Sequence, residues 1–409
     1  MRHPPVYDVI VCGLGINGTA ALYYLSQFKG LKVLGIEAKQ PGHSGGGSYG
    51  QTRLLRRSYF DAPEYIPLVS RSLELWERLQ LGSPHPLFHR TGLLFLGPRQ
   101  NPLFENIRLC ASKHSLRIET VATAHAREQF PFLRIPDPFQ VLFEPEALVL
   151  LPENLIPFLL SEAQTSASVE ISVENPVFHL EIQEELVFVS TSAGVFTAKK
   201  ALVAAGGWTK FLLPELALPI EFKESPQFWF RELARAPRAG VPFIFSSAED
   251  FIYGFPDCGI GVKMASYHPG RTLPTPEDRS AHSTHGLVQI QSCIENHFPY
   301  LDPKPTGHHT CFLDMGPGEN LILDFYPGSR NVVMMTAGSG HGFKMAPALA
   351  TAAIEMLQTG RPVAQTGFLS LELISKPQMR GATEGRAEAY PGYAAQTARP
   401  SNDADGVLK

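Results

Sequence analysis

The chain has 409 residues, a formal net charge of −4, 44% hydrophobic residues and 18% charged residues. This length predicts roughly two or three domains, and the composition is typical of a globular protein. The slight acidity and the lack of a Lys/Arg-rich run argue against a nucleic-acid binder. No uninterrupted apolar run reaches about 18 residues, so no membrane span is expected. Five sparse cysteines without a C-x-x-C pair, and an N-terminus without a signal-peptide pattern, predict a cytoplasmic protein with no metal site.

The beginning of the chain has the clearest structural pattern. Apolar runs at 7–12 and 31–37 predict two buried strands, and residues 19–28 between them predict a helix. A strand, a helix and a second strand within about 30 residues form a β-α-β unit.

The turn between the first strand and the helix matches the G-x-G-x-x-G pattern of dinucleotide-binding proteins. Gly13 permits the tight turn, Gly15 lets the backbone approach a pyrophosphate, and Gly18 lets the helix pack on the strand. Glu37 ends the second strand, where an acid accepts hydrogen bonds from a ribose. This pattern predicts dinucleotide binding but does not separate FAD from NAD, and a glycine turn in an ordinary α/β fold is the alternative.

Further elements follow in chain order. They are a helix at 67–81, a strand at 90–97, a helix within 101–145, a helix at 150–163, antiparallel strands at 169–197, a strand at 200–208, aromatic-rich strands from about 220 to 310, two strands at 321–335, and a glycine-rich turn into a helix at 338–357. Nucleotide-domain features therefore stand on both sides of the aromatic region, which predicts a discontinuous two-domain chain. Residues 377–409 have little apolar content and predict a disordered tail.

The wider pattern resembles a known family. The motifs that carry the resemblance are GQTRLLR at 50–56, EYIPL at 64–68, RTGLL at 90–94, YGFP at 253–256, VKMASYH at 262–268, Cys311, and SGHGFK at 339–344. In order and spacing they resemble the FAD-dependent amine oxidases typified by monomeric sarcosine oxidase, N-methyltryptophan oxidase and peroxisomal sarcosine/pipecolate oxidase. The resemblance extends from residue 7 to about 375.

The resemblance implies an α/β fold of two domains (α+β in arrangement). A glutathione-reductase-type FAD-binding Rossmann domain would comprise residues 1–90, 146–219 and 318–376. A discontinuous mixed-sheet substrate domain would comprise 91–145 and 220–317.

The resemblance also implies how the flavin is held. Cys311 matches the cysteine to which the family attaches FAD covalently, although a cysteine judged alone is more often an inert buried thiol. Thr52 and Arg53 would line the edge of the flavin ring. The amides of Gly340 and Gly342 would face its pyrimidine end, where negative charge develops on reduction.

Five basic or aromatic positions match the family's catalytic and substrate-binding site. Arg56 and Lys344 would bind a substrate carboxylate, and Lys344 would also touch the flavin. Lys263, together with Arg53, would be catalytic, because a cation beside the flavin favours electron transfer to oxygen. Tyr253 would belong to the pocket wall. Without the resemblance, a solvated surface position is the simpler interpretation of Arg56 and Lys263.

His268 would also belong to the pocket wall. Three positions near the expected pocket depart from the family pattern. Tyr49 replaces a histidine next to the substrate site, Leu313 replaces a tyrosine in a Phe-Leu-Asp segment where Met-Tyr-Thr is usual, and Gly338 replaces a phenylalanine. The loss of two aromatic rings predicts a larger or reshaped pocket.

The implied reaction oxidises a secondary-amine amino acid to an imine and reduces oxygen to hydrogen peroxide. The reshaped pocket favours an N-methyl or cyclic substrate bulkier than sarcosine. Three alternatives remain: a flavin dehydrogenase or tailoring oxidase with another electron acceptor, a catalytically inactive flavoprotein subunit, and a nicotinamide-dependent dehydrogenase. The last does not explain Cys311 or the SGHGFK segment.

Overall fold

A computed structural model describes residues 5–233 and 240–374 of the chain. Its strands are β1 Val6–Cys12, β2 Val33–Ile36, β3 Arg53–Leu55, β4 Phe88–Arg90, β5 Leu93–Pro98, β6 Glu119–Val121, β7 Phe139–Glu144, β8 Leu148–Leu150, β9 Val169–Ser172, β10 Val177–Ile182, β11 Val187–Thr191, β12 Gly194–Val203, β13 Glu221–Glu232, β14 Phe243–Ser246, β15 Phe251–Phe255, β16 Val262–Ser266, β17 Thr272–Leu273, β18 Leu301–Met315, β19 Ile322–Phe325 and β20 Val332–Thr336. Its α-helices are α1 Ile16–Ser26, α2 Ile66–Gly82, α3 Pro102–His114, α4 Thr123–Gln129, α5 Pro152–Gln164, α6 Thr209–Leu212, α7 Leu287–His297, α8 Gly342–Thr359 and α9 Leu371–Ile374. In these residues no helix is both long enough and apolar enough to cross a bilayer.

The first sheet has a parallel core in the order β9-β2-β1-β12-β20, with β19 antiparallel at the edge of β20. The long strand β12 also pairs through its first half with the antiparallel pair β10-β11. Helices α1, α2, α5 and α8 bury their apolar residues together with one face of this sheet. Because parallel strands end at one edge, the loops that follow β1, β12 and β20 meet there, which is where open α/β sheets bind ligands.

The second sheet is mixed and mostly antiparallel, in the order β17-β13-β16-β15-β14-β5-β7-β6, with β18 paired along the length of β13. Only the β5–β14 pairing within it is parallel among the described strands. Aromatic residues such as Phe228, Phe243 and Phe298 fill a core between this sheet and α7. A third, small sheet, β3-β8-β4, contains the segment that follows the GQT turn.

The predicted fold class is confirmed: a dinucleotide-type parallel sheet with helices, and a mixed second sheet. All strands of the first sheet come from residues 6–36, 169–203 and 322–336, and all strands of the second come from 93–144 and 221–315. The division of the chain into two domains stays a prediction, and the separate origin of the strands of each sheet supports it. The predicted tail at 377–409 lies outside the described residues.

Three local predictions were incomplete or wrong. Strand β9 follows α5 and pairs in parallel with β2, at the edge of the first sheet, rather than joining the antiparallel strands that come after it in the sequence. The stretch 101–145 holds two helices and two strands instead of one helix. Helix α7 was missed inside the aromatic region, although Ile290, Cys293 and Ile294 have the spacing of a buried helical face.

Candidate active site

The turn after β1 has the close backbone contacts that the glycine pattern predicts. Gly13 has φ +94°, and a Cβ there would lie 2.7 Å from the carbonyl oxygen of Ala204. A Cβ on Gly18 would lie only 1.8 Å from the carbonyl oxygen of Gly13. Larger residues would therefore force helix α1 away from β1.

The start of α1 is suited to bind an anion. The helix has no acidic residue in its first turn and no side-chain cap, so the positive end of its dipole faces the cavity edge. The Ile16 N–H donates to Ser48 Oγ at 2.9 Å. Glu37, which is 8% exposed, accepts from the Leu14 N–H at 2.7 Å and shapes the turn while still lining the cavity.

A cavity of about 580 Å³ runs from this turn to the second sheet, a size typical of small-molecule sites. Most of the predicted site residues line it. They are Gly13, Gly15, Glu37, Thr52, Arg53, Arg56, Tyr253, Lys263, Cys311, Gly340, Gly342 and Lys344. Residues more than 300 positions apart in sequence thus meet in one cavity.

Three predicted residues do not line the cavity. Gly18 acts through packing, as described above. Tyr49 instead packs its ring 5.0 Å from that of His309. His268 is buried outside the cavity, and its carbonyl group contacts the Nε2 atom of His285 at 3.1 Å. Its neighbour Tyr267 takes the place on the wall that was expected for His268.

Lys263 is 4% exposed, because both faces of β16 are covered. Its ammonium donates to the Thr52 carbonyl at 3.2 Å and lies 4.3 Å from the ring centre of Phe255. Burial, and then the nearby positive charge of Arg53, lower the pKa of Lys263 to about 7. The solvated position suggested by sequence alternation is therefore wrong.

Arg53 is fixed by the turn that precedes it. Its guanidinium donates to the carbonyls of Thr52 at 2.9 Å and Gly47 at 3.1 Å, and also to the carbonyl of Tyr49. It lies 5.4 Å from the ring centre of Phe343. These bonds orient a cation toward the part of the cavity that contains Lys263 and Cys311.

Arg56 is 6% exposed and lies over two aromatic rings, 4.8 Å from the centre of Tyr59 and 5.0 Å from that of Phe60. It donates to the Ser58 carbonyl, and its second terminal nitrogen is 3.6 Å from Asp61 Oδ1. The planar guanidinium is thus held rigidly at the wall, in a geometry suited to a second carboxylate.

Lys344 lies in the first turn of α8 and donates to the Tyr59 hydroxyl at 3.1 Å. Burial, and then the charge of Arg56, lower the pKa of Lys344 to about 7. Tyr59 was not predicted as a site residue, although its place three residues after Arg56 could have suggested it. Its ring contacts both cations that were expected to bind a carboxylate.

Cys311 lies on β18 opposite Ser225 of β13 and faces the cavity. Burial raises the pKa of its thiol, and the neighbouring Arg53 and Lys263 oppose that rise. Cys311 therefore combines access to the cavity with neighbouring cations, which favour the thiolate form, while burial opposes that form.

The turn after β20 partly contradicts its predicted role. The Gly342 N–H donates to the Gly338 carbonyl at 2.8 Å, so this amide is engaged in the turn and does not face a ligand. Gly340, with φ +75°, shapes the turn and lines the cavity.

The residues present fit a dinucleotide such as FAD. Two cavity-lining atoms, Asn17 Oδ1 and Thr52 Oγ1, are buried without a hydrogen-bond partner in the described part of the chain. Such atoms are costly unless a ligand satisfies them. With the open helix start and Glu37, they form a series of polar contacts along one cavity.

Comparison with known proteins identifies the class. The DAO family of FAD dependent oxidoreductases matches residues 8–356, and the chain belongs to this family. The predicted family and the predicted class of enzyme, an FAD-dependent amine oxidase, are confirmed.

Two curated relatives and two solved structures illustrate the similarity. The chain is 32% identical over 352 residues to N-methyl-L-tryptophan oxidase of Salmonella typhimurium, and the alignment covers 84% of this chain and 92% of the relative. It is 33% identical over 348 residues to N-methyl-L-tryptophan oxidase of Yersinia pestis, with the same coverage.

The solved structures share the fold at lower identity. NikD, an unusual amino acid oxidase essential for nikkomycin biosynthesis, has a TM-score of 0.78 at 20% identity, and the match covers 89% of this chain and 97% of the NikD chain. L-proline dehydrogenase from P. horikoshii has a TM-score of 0.77 at 18% identity, and the match covers 90% of this chain and 97% of the dehydrogenase chain. These structures show the fold, while the family match and the curated relatives make the protein a flavin enzyme that oxidises an amine or amino acid, with FAD as cofactor and a small-molecule substrate.

Proposed function

We propose that this protein oxidises a bulky N-methyl or cyclic secondary-amine amino acid to its imine, with oxygen as the electron acceptor and hydrogen peroxide as the second product. The observation that carries the proposal is the convergence of Arg56, Lys344 and Lys263 on one cavity. When bound, FAD would supply the acceptor for the hydride equivalent that leaves the carbon next to the amine nitrogen.

The carboxylate end of the substrate is assigned to Arg56 and Lys344. Arg56 offers a fixed planar fork and Lys344 a point charge, and both contact Tyr59, which holds them on one side of the cavity. Binding at this position orients the amine and its neighbouring carbon toward the middle of the cavity, and such positioning is a large part of catalysis.

The remaining wall near the second sheet favours a bulky substrate. Ile244, Phe251, Tyr253 and Tyr267 present apolar surface to the cavity. Apolar contact would stabilise a large side chain or ring by roughly 25 cal/mol per Å² removed from water. Sarcosine has no side chain with which to use this surface.

Lys263 is assigned to the oxygen reaction. Its buried ammonium is held by the Thr52 carbonyl at 3.2 Å, beside Arg53 and Cys311. A preorganised cation of this kind stabilises negative charge that develops on oxygen, and such stabilisation contributes roughly 10²–10³-fold in rate.

The test is a substrate screen of the purified protein, in which peroxide is measured under air and flavin bleaching is measured without oxygen. Sarcosine, proline, pipecolate and N-methyl amino acids with larger side chains are compared by peroxide release and by bleaching of the flavin absorbance. The proposal expects bleaching and peroxide with the larger or cyclic substrates. A preference for sarcosine would contradict the assigned substrate class.

The same screen separates the other functions. Bleaching without peroxide under air would indicate a dehydrogenase that uses another acceptor. A stable yellow protein that no amine bleaches would indicate a binding subunit without catalysis.

We also propose that FAD is attached covalently through Cys311, the cavity-lining cysteine that has cations beside it. Acid precipitation of the native protein should then leave yellow colour in the pellet, whereas Cys311→Ser should release its flavin. Cys110→Ser, which changes a buried cysteine in α3, is the matched control and should keep the colour. Colour lost from the native pellet would refute the linkage.

A further inference from the structure

Asp314 is a cavity-lining carboxylate with no role in the reaction described above. It lies near the end of β18, three residues after Cys311, where the family resemblance leads one to expect threonine. Two glycine turns enclose its side chain: residues 206–207, which follow β12, and Gly338, which follows β20.

The glycines create the space that this side chain occupies. A Cβ on Gly207 would lie 3.1 Å from the Asp314 Cβ, and a Cβ on Gly338 would lie 3.1 Å from Asp314 Oδ1. The replacement of an aromatic residue by Gly338 therefore does not simply enlarge the pocket. It makes room for a carboxylate at that position.

This carboxylate has more acceptor capacity than the protein uses. The Gly338 N–H and its own backbone N–H bind it, and these backbone groups rather than a charged side chain of the described residues offset its burial. Burial raises the pKa of Asp314 to about 6, so the ionised form predominates at neutral pH. A carboxylate has about four acceptor sites, which leaves capacity for donors from a ligand.

The position along the cavity indicates which donors these are. The pyrophosphate is expected at the start of α1, next to the end of β1, and the flavin ring is expected near Cys311, since both places line the same cavity. Asp314 is three residues from Cys311 on β18 and lies against Gly206 and Gly207, which directly follow the two alanines that pack against Gly13. In FAD the part between the pyrophosphate and the ring is the ribityl chain, whose hydroxyl groups are donors.

We propose that Asp314 is a cofactor-binding residue that accepts a hydrogen bond from a ribityl hydroxyl of FAD. The contact is charge-assisted, and the loss of such a bond in a partly buried site reduces affinity by ~10- to 100-fold. The inference rests on FAD binding alone, so it can be tested whatever the substrate proves to be.

The experiment measures FAD affinity in a Cys311→Ser background, in which binding is reversible. Apoprotein with Asp314, with Asp314→Asn and with Asp314→Ala is titrated with FAD and with FAD analogues that each lack one ribityl hydroxyl. The proposal expects one analogue to bind the Asp314 protein ~10-fold or more weaker than FAD does. That same analogue should lose much less affinity, relative to FAD, in the Asp314→Ala protein.

Asp324→Asn is the matched control, because Asp324 also accepts backbone N–H bonds, from Phe325 and Leu371, but does not line the cavity. It should leave FAD affinity unchanged. If Asp314→Ala does not fold as apoprotein, Asp314→Asn, which keeps the shape, gives the same comparison with a smaller loss. Equal losses for every analogue with and without Asp314 would overturn the proposal.

Discussion

Lys344 is a buried lysine whose charge depends on pH near neutrality. Its pKa is lowered from 10.5 to about 7, so the ammonium is present below pH 7 and is lost as the pH rises above it. If Lys344 helps to hold a carboxylate, the affinity for a competitive carboxylate ligand should be highest below pH 7. It should then fall by up to ~10-fold per pH unit just above pH 7.

Variants assign this pH dependence to one residue. Lys344→Met should weaken binding at pH 6 and remove the fall above pH 7, whereas Lys263→Met, which changes the other lysine with a pKa near 7, should keep it. Inhibitor titrations followed through flavin absorbance provide the measurement. An affinity that stays constant from pH 6 to 9 in the native protein would argue against the assignment.

Arg56 differs from the adjacent Arg57 in a way that permits a matched comparison. Arg56 lines the cavity, whereas Arg57 is partly exposed and forms an ion pair with Glu146 at 2.8 Å. Arg56→Lys should weaken carboxylate binding by ~10-fold or more, because lysine cannot provide the planar fork. Arg57→Lys should have little effect on binding. Equal effects of the two substitutions on KM would mean that Arg56 acts only through the fold.

At the scale of elements, the contact between α1 and β1 decides whether a cofactor can bind. Gly18→Ala would place a Cβ 1.8 Å from the Gly13 carbonyl, so α1 must move away from the turn. We expect this variant to incorporate much less FAD and to be destabilised by ~1–3 kcal/mol, the usual cost of overpacking. Flavin content and urea unfolding measure the two effects.

Gly367→Ala is the control for this change, because a Cβ there meets nothing within 4 Å and the residue lies in a short helical turn away from the cavity. It should retain FAD and stability. Retention of normal flavin content by Gly18→Ala would show that the glycine loop is not the cofactor site.

Elements were predicted well where local sequence determines them, and less well where packing does. The β1-α1-β2 unit follows from an apolar run, glycines and an acid, all within 37 residues. The burial of Lys263 could not be predicted in this way, because its alternating strand is covered on both faces by residues distant in sequence. The same holds for Tyr49 and His268, whose position off the cavity wall depends on the path of neighbouring strands.

At the scale of the whole molecule, motifs separated by about 300 residues line one cavity. From the sequence alone, only the family resemblance indicated that these motifs belong to one site. No single motif could predict that the shapes of residues far apart in the sequence would fit each other in space. The pairing of Asp314 with the space above Gly338 is one example, and the contact of Tyr59 with Lys344 is another. In each of these pairs, the identity of one residue does not indicate that it will contact the other.

A cavity lined from both large sheets also makes stability depend on the cofactor. Since FAD would contact residues of both sheets, it binds the folded chain and not the unfolded one. In Cys311→Ser, where binding is expected to be reversible, the free energy of unfolding should rise by about 1.4 kcal/mol for each tenfold increase in free FAD above its Kd. The native protein, with its cofactor attached, should show a melting temperature that added FAD does not change.

Thermal unfolding at a series of FAD concentrations tests this expectation. Because flavin fluorescence rises on release, fluorescence reports cofactor loss and far-UV circular dichroism reports unfolding in the same samples. Coincident transitions in Cys311→Ser would mean that folding and cofactor binding are coupled across both sheets. If the midpoint of the circular dichroism transition of this variant does not change with FAD concentration, the cavity residues contribute little to holding the two sheets together.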